Sequence, residues 1–448
     1  MAGEETVRLG DVCVKIGSGA TPRGGKEVYK GGPTSLIRSQ NIYNEGFHRN
    51  GLVYIDDNQS SELRNVEVLS NDVLLNITGD SVARCCQVAA DVLPSRVNQH
   101  VAIIRTKPKS LDARFLRYVL VSHEYQSRLL ALASAGATRP ALTKSMIEEL
   151  NIPSPPLTEQ KAIAAILGSL DDKIELNRRM NATLEAMARA LFQSWFVDFD
   201  PVRAKLDGRV PVGMDAETAA LFPDSFQDSE AGMIPKGWEV KSLSQLTTLI
   251  TKGTTPTKAD MNAAFDTDAQ INYVRVNSID EDGSVLAGKL TAIPKAIHTG
   301  VLKRSILKAN DVLYTIAGTI GRIAMVEDWI LPANTNQAVA IIRPKPSIPS
   351  GFLILKMRHE VFRDELHNNI VHAVQANLSL GMLSNARVIV PPSSSFQKIF
   401  RPIGELLSQI RANRAQSRTL ATLRDTLLPK LLSGELSVAG FSAELVAL

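Results

Sequence analysis

The 448-residue sequence predicts a mixed α/β (α+β) protein of two homologous modules and two long coiled-coil helices. Three observations carry that prediction. The segment NQHVAIIRTKP beginning at Asn98 returns as NQAVAIIRPKP beginning at Asn336, with nine of eleven positions identical. Short β-branched runs bounded by Gly, Asn, Asp or Pro recur within both copies. Each copy closes on a double proline, Pro155-Pro156 and Pro391-Pro392, and then passes into a helical pattern with few breakers, long for a globular helix.

Other stretches repeat in the same order. Gly19 to Pro22 (GATP) answers Gly253 to Pro256 (GTTP), Leu36 to Ile42 answers Tyr273 to Ile279, and Ser70 to Gly79 answers Ala309 to Gly318. The offsets stay between 234 and 239 residues, so duplication of one folded module explains the order better than coincidence does. Strands are expected at Val73 to Thr78, Val101 to Arg105, Val312 to Ile316 and Val339 to Arg343. The chain divides into a first module (1–156), a first helical arm (157–196), a connector (197–236), a second module (237–392), a second arm (393–436) and a tail (437–448).

In the arms, apolar positions superpose at one offset of 236: Ile163 with Ile399, Leu167 with Ile403, Leu170 with Leu406, Ile174 with Ile410, Leu184 with Leu420, and Leu191 with Leu427. Their alternating spacing of four and three is a heptad seam. A polar band of Asn177 with Asn413 and Asn181 with Ser417 crosses it midway. Such a band is either a surface interruption or a set of buried polar side chains that fix register and pairing. A helix of this length spans on the order of 50 Å, enough to hold two domains apart.

Composition sets limits. A formal net charge of +4 does not demand nucleic acid. Cys13, Cys85 and Cys86 have no CxxC spacing, so neither a disulfide framework nor a zinc site is indicated. The opening MAGEETVRLGD is acidic where an export signal would be basic, and no apolar run approaches bilayer length, so a cytoplasmic protein is expected. No phosphate-binding loop, dinucleotide turn, metal helix or nucleophile elbow is found: GATPRGGKE fails the spacing because Lys26 is followed by Glu27. Asp198 and Asp200 in FVDFDP lack a second acidic cluster, which favours a structural role. No catalytic residues, cofactor or metal ligands are assigned to this chain.

Reading base edges requires donor and acceptor forks from Arg, Lys, Asn and Gln. Candidates in the first module are Arg38, Gln40, Asn41, Arg84, Arg139 and Lys144; in the second they are Arg275, Asn277, Lys303, Arg304, Arg322 and Gln375. Thr21 and Thr255 stand in turns whose backbone amides could approach phosphate or serve only as turns. The modules differ most over Lys107 to Ala135 against Lys345 to Val371 and over Asn41 to Ser70 against Asn277 to Ala309, where base-reading loops are expected.

Together with FVDFDPVRAK, GMDAETAALFPDSF and IPKGWEV, these features resemble the specificity subunit of type I restriction-modification enzymes over essentially the whole chain. The resemblance implies two target recognition domains, each reading half of an asymmetric bipartite site, and antiparallel arms that set the gap with pseudo-twofold symmetry. It also implies double-stranded DNA as ligand, two methyltransferase subunits that use S-adenosylmethionine, and restriction subunits that use ATP and magnesium. Two alternatives stay open: a scaffold without DNA specificity, and a standalone nuclease or methyltransferase.

Overall fold

The computed structural model describes residues 6–22, 24, 27, 29, 31–135, 139–263, 270–371 and 378–438. It has two compact units, residues 1–178 with 414–448 and residues 179–413. Each long helix, Leu157–Phe196 and Ser393–Leu432, contributes to both units and is about 60 Å long at about 1.5 Å per residue.

The first unit is built on an antiparallel sheet in the order Cys13–Ser18, Val101–Thr106, Val73–Asn76, Cys85–Gln87. The central strand, VAIIRT, is apolar on both sides because each face covers a different core. Val101 and Ile103 pack with Leu36, Ile37 and Leu74, whereas Ala102 and Ile104 pack with Val73, Leu75, Phe115 and Tyr118. A second sheet has the order Val53–Ile55, Thr34–Ile37, Ser95–Val97, Glu67–Val68, with Thr34–Ile37 and Ser95–Val97 parallel. Thr6–Arg8 pairs with Asn151–Pro153. The expected strands at Val73 and Val312 end at Asn76 and Thr315, where the chain turns.

The second unit repeats this plan. Its main sheet runs Thr247–Lys252, Val339–Pro344, Val312–Thr315, Ile323–Met325, its smaller sheet Thr291–Pro294, Gln270–Val274, Ala333–Thr335, and Glu239–Ser242 pairs with Arg387–Val390. Val339 and Ile341 again face one core, Ala340 and Ile342 the other. Each main sheet also carries the same buried ion pair. Arg105 grips Asp72 through two 2.7 Å hydrogen bonds, and Arg343 grips Asp311 in the same way. Both carboxylates are sealed from water, at 0% and 1% exposure.

One expectation is corrected. Lys107 to Ala135 and Lys345 to Val371 are not loops but equivalent helix pairs, Ala113–Val121 with His123–Ser134 and Ser350–Arg358 with Glu360–Val371. Asp112 and Ser122 cap the first pair, and Phe115, Leu116 and Leu120 are buried, as are Phe352, Leu353 and Leu355 in the second. The sequence difference there falls on a helix pair packed against the sheet, not on surface loops. Residues 197–236, expected to form a connector, add Phe199, Val202, Phe222 and Ile234 to the aromatic core of the second unit around Trp195, Phe196 and Trp238. Asp198 accepts from the Gln193 amide at 2.9 Å and Asp200 from the Ser194 hydroxyl at 2.7 Å, so both carboxylates fasten the helix exit.

Within each unit the two long helices run antiparallel. In the first unit Ile163 and Leu167 share a core with Leu428 and Leu431, Asp171 meets Arg424, and Asn177 donates to Gln416 and Ser417 at 2.8 and 3.2 Å. In the second, Asn413 donates to Asn181 at 2.9 Å and Phe196 packs on Phe400. Of the seam positions, Ile163, Leu167, Asn177, Ile399, Ile403, Ile410 and Asn413 are buried, while Leu170, Ile174, Asn181, Leu184, Leu191, Leu406, Ser417, Leu420 and Leu427 are half-buried. The polar band is thus inside the helix pair. Near the helix ends the buried stripe moves to Ala188, Phe192 and Trp195 and to Leu428 and Leu431, because 3.6 residues per turn drifts off a strict heptad and the modules cover the new face.

Candidate nucleic-acid interface

In the first unit four loops meet along one edge, where strands Cys13–Ser18, Thr34–Ile37, Val73–Asn76 and Ser95–Val97 end and Val101–Thr106 begins. Backbone bonds tie the loops together. Gly19 and Ala20 donate to Val101 and Val97 at 2.8 and 3.0 Å, and Asn98 donates to Ile37 at 3.0 Å. The Asn76 amide holds the Ser39 carbonyl at 2.9 Å. The second unit repeats the edge: Gly253 donates to Val339, Thr254 to Thr335, and Asn336 to Val274. A Cβ at Gly19 or Gly253 would stand 2.1 or 2.0 Å from a backbone carbonyl, so close approach of two chain segments requires glycine at both. Thr21 and Thr255 are exposed just beyond.

After strand Thr34–Ile37 the chain makes a short turn whose shape is fixed from inside. Asn41 is fully buried; its oxygen accepts from the Arg38 backbone at 3.0 Å and its amide donates to His48 and Asn50 carbonyls. Asn41 therefore holds the loop and has no free edge to present, which corrects the expectation that it reads bases. Ser278 takes the matching place and likewise accepts from Arg275 at 3.1 Å. The exposed members of the pair of turns are Gln40 and Asn277. Arg38 is half-buried, donates to the Gly51 carbonyl at 2.6 Å and lies over the Tyr29 ring; Gln40 reaches the same carbonyl at 3.2 Å. Arg275 is exposed beside Tyr273. Burial holds the Tyr273 hydroxyl above its usual range, and it donates to the Thr254 carbonyl at 2.7 Å.

The turn after Val73–Asn76 reverses through Gly79 and Ala83, both with positive φ, matched by Gly318 and Gly321. Arg84 leaves this turn 4.6 Å over Tyr43, which stacks on His48 at 4.1 Å. Burial pulls the His48 imidazole below its usual range, partly countered by Glu45, which favours a neutral ring near pH 7. Arg322, the counterpart of Arg84, donates to the Ile279 carbonyl at 2.9 Å. Arg139 is exposed one residue before Pro140, whose carbonyl accepts from Gly79, so it belongs to the edge. Lys303 and Arg304 are exposed on a turn flanking the smaller sheet. Lys144 falls elsewhere. It opens a short helix packed on Leu9–Val12 and Cys13–Ser18, pairs with Glu148 at 3.4 Å and lines a small hollow with Gly10 and Cys13, whereas that strand meets the edge at Ser18. Gln375 lies outside the described residues.

Six buried side-chain atoms among the described residues have no hydrogen-bond partner, and four belong to these edges: Arg38 Nε and Asn76 Oδ1 in the first unit, Arg322 Nε and Asn336 Oδ1 in the second. The four are not at equivalent positions of the repeat, but each edge keeps one donor and one acceptor that water or a polar ligand can satisfy. Sequence reasoning overlooked Asn76, Asn336 and the exposed Gln99 and Gln337. The repeated NQ pair is the signal in the sequence that marks the two glutamines. The arrangement offers Arg, Gln and Asn forks on rigid turns, with no grouping of His, Cys, Asp and Glu suited to a metal ion among the described residues.

The family description "Type I restriction modification DNA specificity domain" matches residues 1–186 and 235–420, one match per module. The chain is 29% identical over 381 residues to the type I restriction enzyme HindI specificity subunit of Haemophilus influenzae, covering 76% of this chain and 81% of that protein. It is 27% identical over 325 residues to the MjaIX specificity subunit of Methanocaldococcus jannaschii, covering 72% and 68%. Its fold is similar to the crystal structure of a type I restriction-modification S subunit from M. genitalium, with TM-score 0.54, 15% identity and 95% of each chain covered.

Proposed function

The chain belongs to the type I restriction modification DNA specificity family, and from that premise we propose that it reads an asymmetric bipartite DNA site, one half-site per module. The single observation that carries this reading is the edge duplicated in the two units, with its rigid turns tied by equivalent backbone bonds. Gln40, Arg84 and Arg139 in the first module, and Arg275, Asn277 and Arg322 in the second, supply the base- and phosphate-contacting groups. Lys303, Arg304, Thr21 and Thr255 flank them.

The role is recognition, not catalysis. Two methyltransferase subunits that bind S-adenosylmethionine, and restriction subunits that use ATP and magnesium, act on the site this chain selects. The paired helices serve as the spacer between half-sites. No helix among the described residues is long and apolar enough to cross a membrane.

The test is co-expression with the methyltransferase subunits and mapping of methylated bases across a genome. A bipartite motif that vanishes when this chain is omitted supports the reading. Methylation that persists unchanged without it, or a stable complex that methylates no defined motif, refutes it.

A further inference from the structure

We propose that Gln99 and Gln337 make the same base contact in both half-sites, each presenting its carboxamide to an adenine; the proposal rests on the DNA-reading assignment above. Each is the second residue of a four-residue turn, Asn98 to Val101 and Asn336 to Val339, closed by backbone bonds of 3.1 and 3.2 Å. Each turn is also fastened from outside, through Asn98 to Ile37 and Asn336 to Val274, so the tip has a fixed position at the edge.

Both glutamines are exposed, and the fold gives them nothing to do. The Gln337 carboxamide has no hydrogen bond among the described residues, and Gln99 only meets its neighbour, Nε2 to His100 Nε2 at 3.2 Å. Within the turn Asn98, Gln99 and Val101 match Asn336, Gln337 and Val339 and only His100 against Ala338 differs, while in the neighbouring turn Gln40 stands against Asn277. An exposed carboxamide on a rigid turn of this edge, which the fold itself does not engage in the second module, is placed to serve a ligand. Beside it, Asn336 Oδ1 is one of the orphaned acceptors of the edge.

A carboxamide carries an acceptor and a donor side by side in one plane. In the major groove adenine offers the complementary pair, the N6 amino donor and the N7 acceptor, whereas guanine offers two acceptors. A phosphate would use the donor alone. The two half-sites therefore share an adenine at the equivalent place, and differ at positions read by the turns that differ.

The test uses the chain assembled with its methyltransferase subunits, reading methylation motifs across a genome. Gln337→Ala is expected to make one adenine position of the second module's half-site degenerate, with on the order of ten- to hundredfold less discrimination there and the other half-site unchanged. Gln99→Ala should do the same in the first half-site. Gln337→Lys keeps a donor for phosphate but loses the acceptor, so it should behave as Gln337→Ala. An unchanged motif in the alanine variants overturns the proposal, as does uniform weakening that Gln337→Lys rescues, which would mean a phosphate contact. If the unsubstituted chain directs no motif at all, the DNA-reading assignment itself has failed, and the two failures are distinguishable.

Discussion

Replacing Asp171 by Asn should destabilise the first unit by an amount that can be worked out from its surroundings. The carboxylate stands on the first long helix and accepts from Arg117 of the module, from the Tyr118 hydroxyl at 2.6 Å and from Arg424 of the second long helix at 2.7 Å. Burial alone would raise this carboxyl, but Arg117, Tyr118 and Arg424 together hold it below the usual carboxylate range. The two guanidiniums are only 7% and 14% exposed, so an asparagine would leave two buried cations facing a neutral group. Breaking a buried pair costs about 3–5 kcal/mol, but Arg117 keeps the Asn44 carbonyl and Arg424 keeps Asp425, so about 2–4 kcal/mol is expected here.

The sign with pH follows from the lowered carboxyl: its contribution is complete above the unfolded value near about 4 and is lost as pH falls through the lower folded value. Asp171→Asn should therefore lose most stability near neutral pH and converge with the parent chain in acid. The assay is hydrogen exchange of the Ala113–Val121 amides with urea titration. All three tryptophans, Trp195, Trp238 and Trp329, lie in residues 179–413, so fluorescence separately follows the second unit. Arg49→Ala, which removes an exposed two-bond pair with Asp91 and a 3.8 Å contact with Glu175, is the control and should cost less than about 1 kcal/mol. If Asp171→Asn costs no more than that control, the reasoning from buried charge compensation is refuted.

Other outcomes are expected. Arg343→Met leaves the sealed Asp311 carboxylate with the Lys308 amide, and should lower second-unit stability by about 3–5 kcal/mol in fluorescence-detected urea unfolding. Asn413→Leu strands Asn181 and Gln409 and should cost about 1–3 kcal/mol, most of it recovered in the double variant Asn181→Leu/Asn413→Leu, as a thermal-shift cycle would show. Gly19→Ala and Gly253→Ala drive a methyl into backbone carbonyls; each should lower stability by about 1–3 kcal/mol and impair DNA binding together with it. The Cys86 thiol, which burial pushes up to about 12, should resist iodoacetamide in the native chain at pH 8 and react on unfolding, read by mass spectrometry.

How much of this was legible beforehand depends on which interaction fixes each feature. The duplication, the strands at Val101 and Val339, and the long helices after Pro156 and Pro392 were visible because hydrophobic periodicity and breakers are local properties of the chain. The polar band at Asn177 and Asn413 was visible for the same reason, since it interrupts a regular pattern. The edge candidates were only partly legible. Gln40 and Asn41 are adjacent polar residues of similar type, and nothing local tells that one is exposed and the other fully buried as the pin of its turn.

The sequence by itself determined that there are two copies of one α/β module, where the repeated strands at Val73, Val101, Val312 and Val339 and the two long helices begin, and which stripe of those long helices is apolar. Only the tertiary structure decided that Lys107 to Ala135 is a buried helix pair, that residues 197–236 complete an aromatic core, and that Lys144 belongs away from the edge while Gln99 and Gln337 stand on it. The physical reason is that secondary structure answers to neighbours three or four residues away. Burial, ion pairing as in Asp171 with Arg424, and the close approach at Gly19 answer to residues that the chain brings together from far apart.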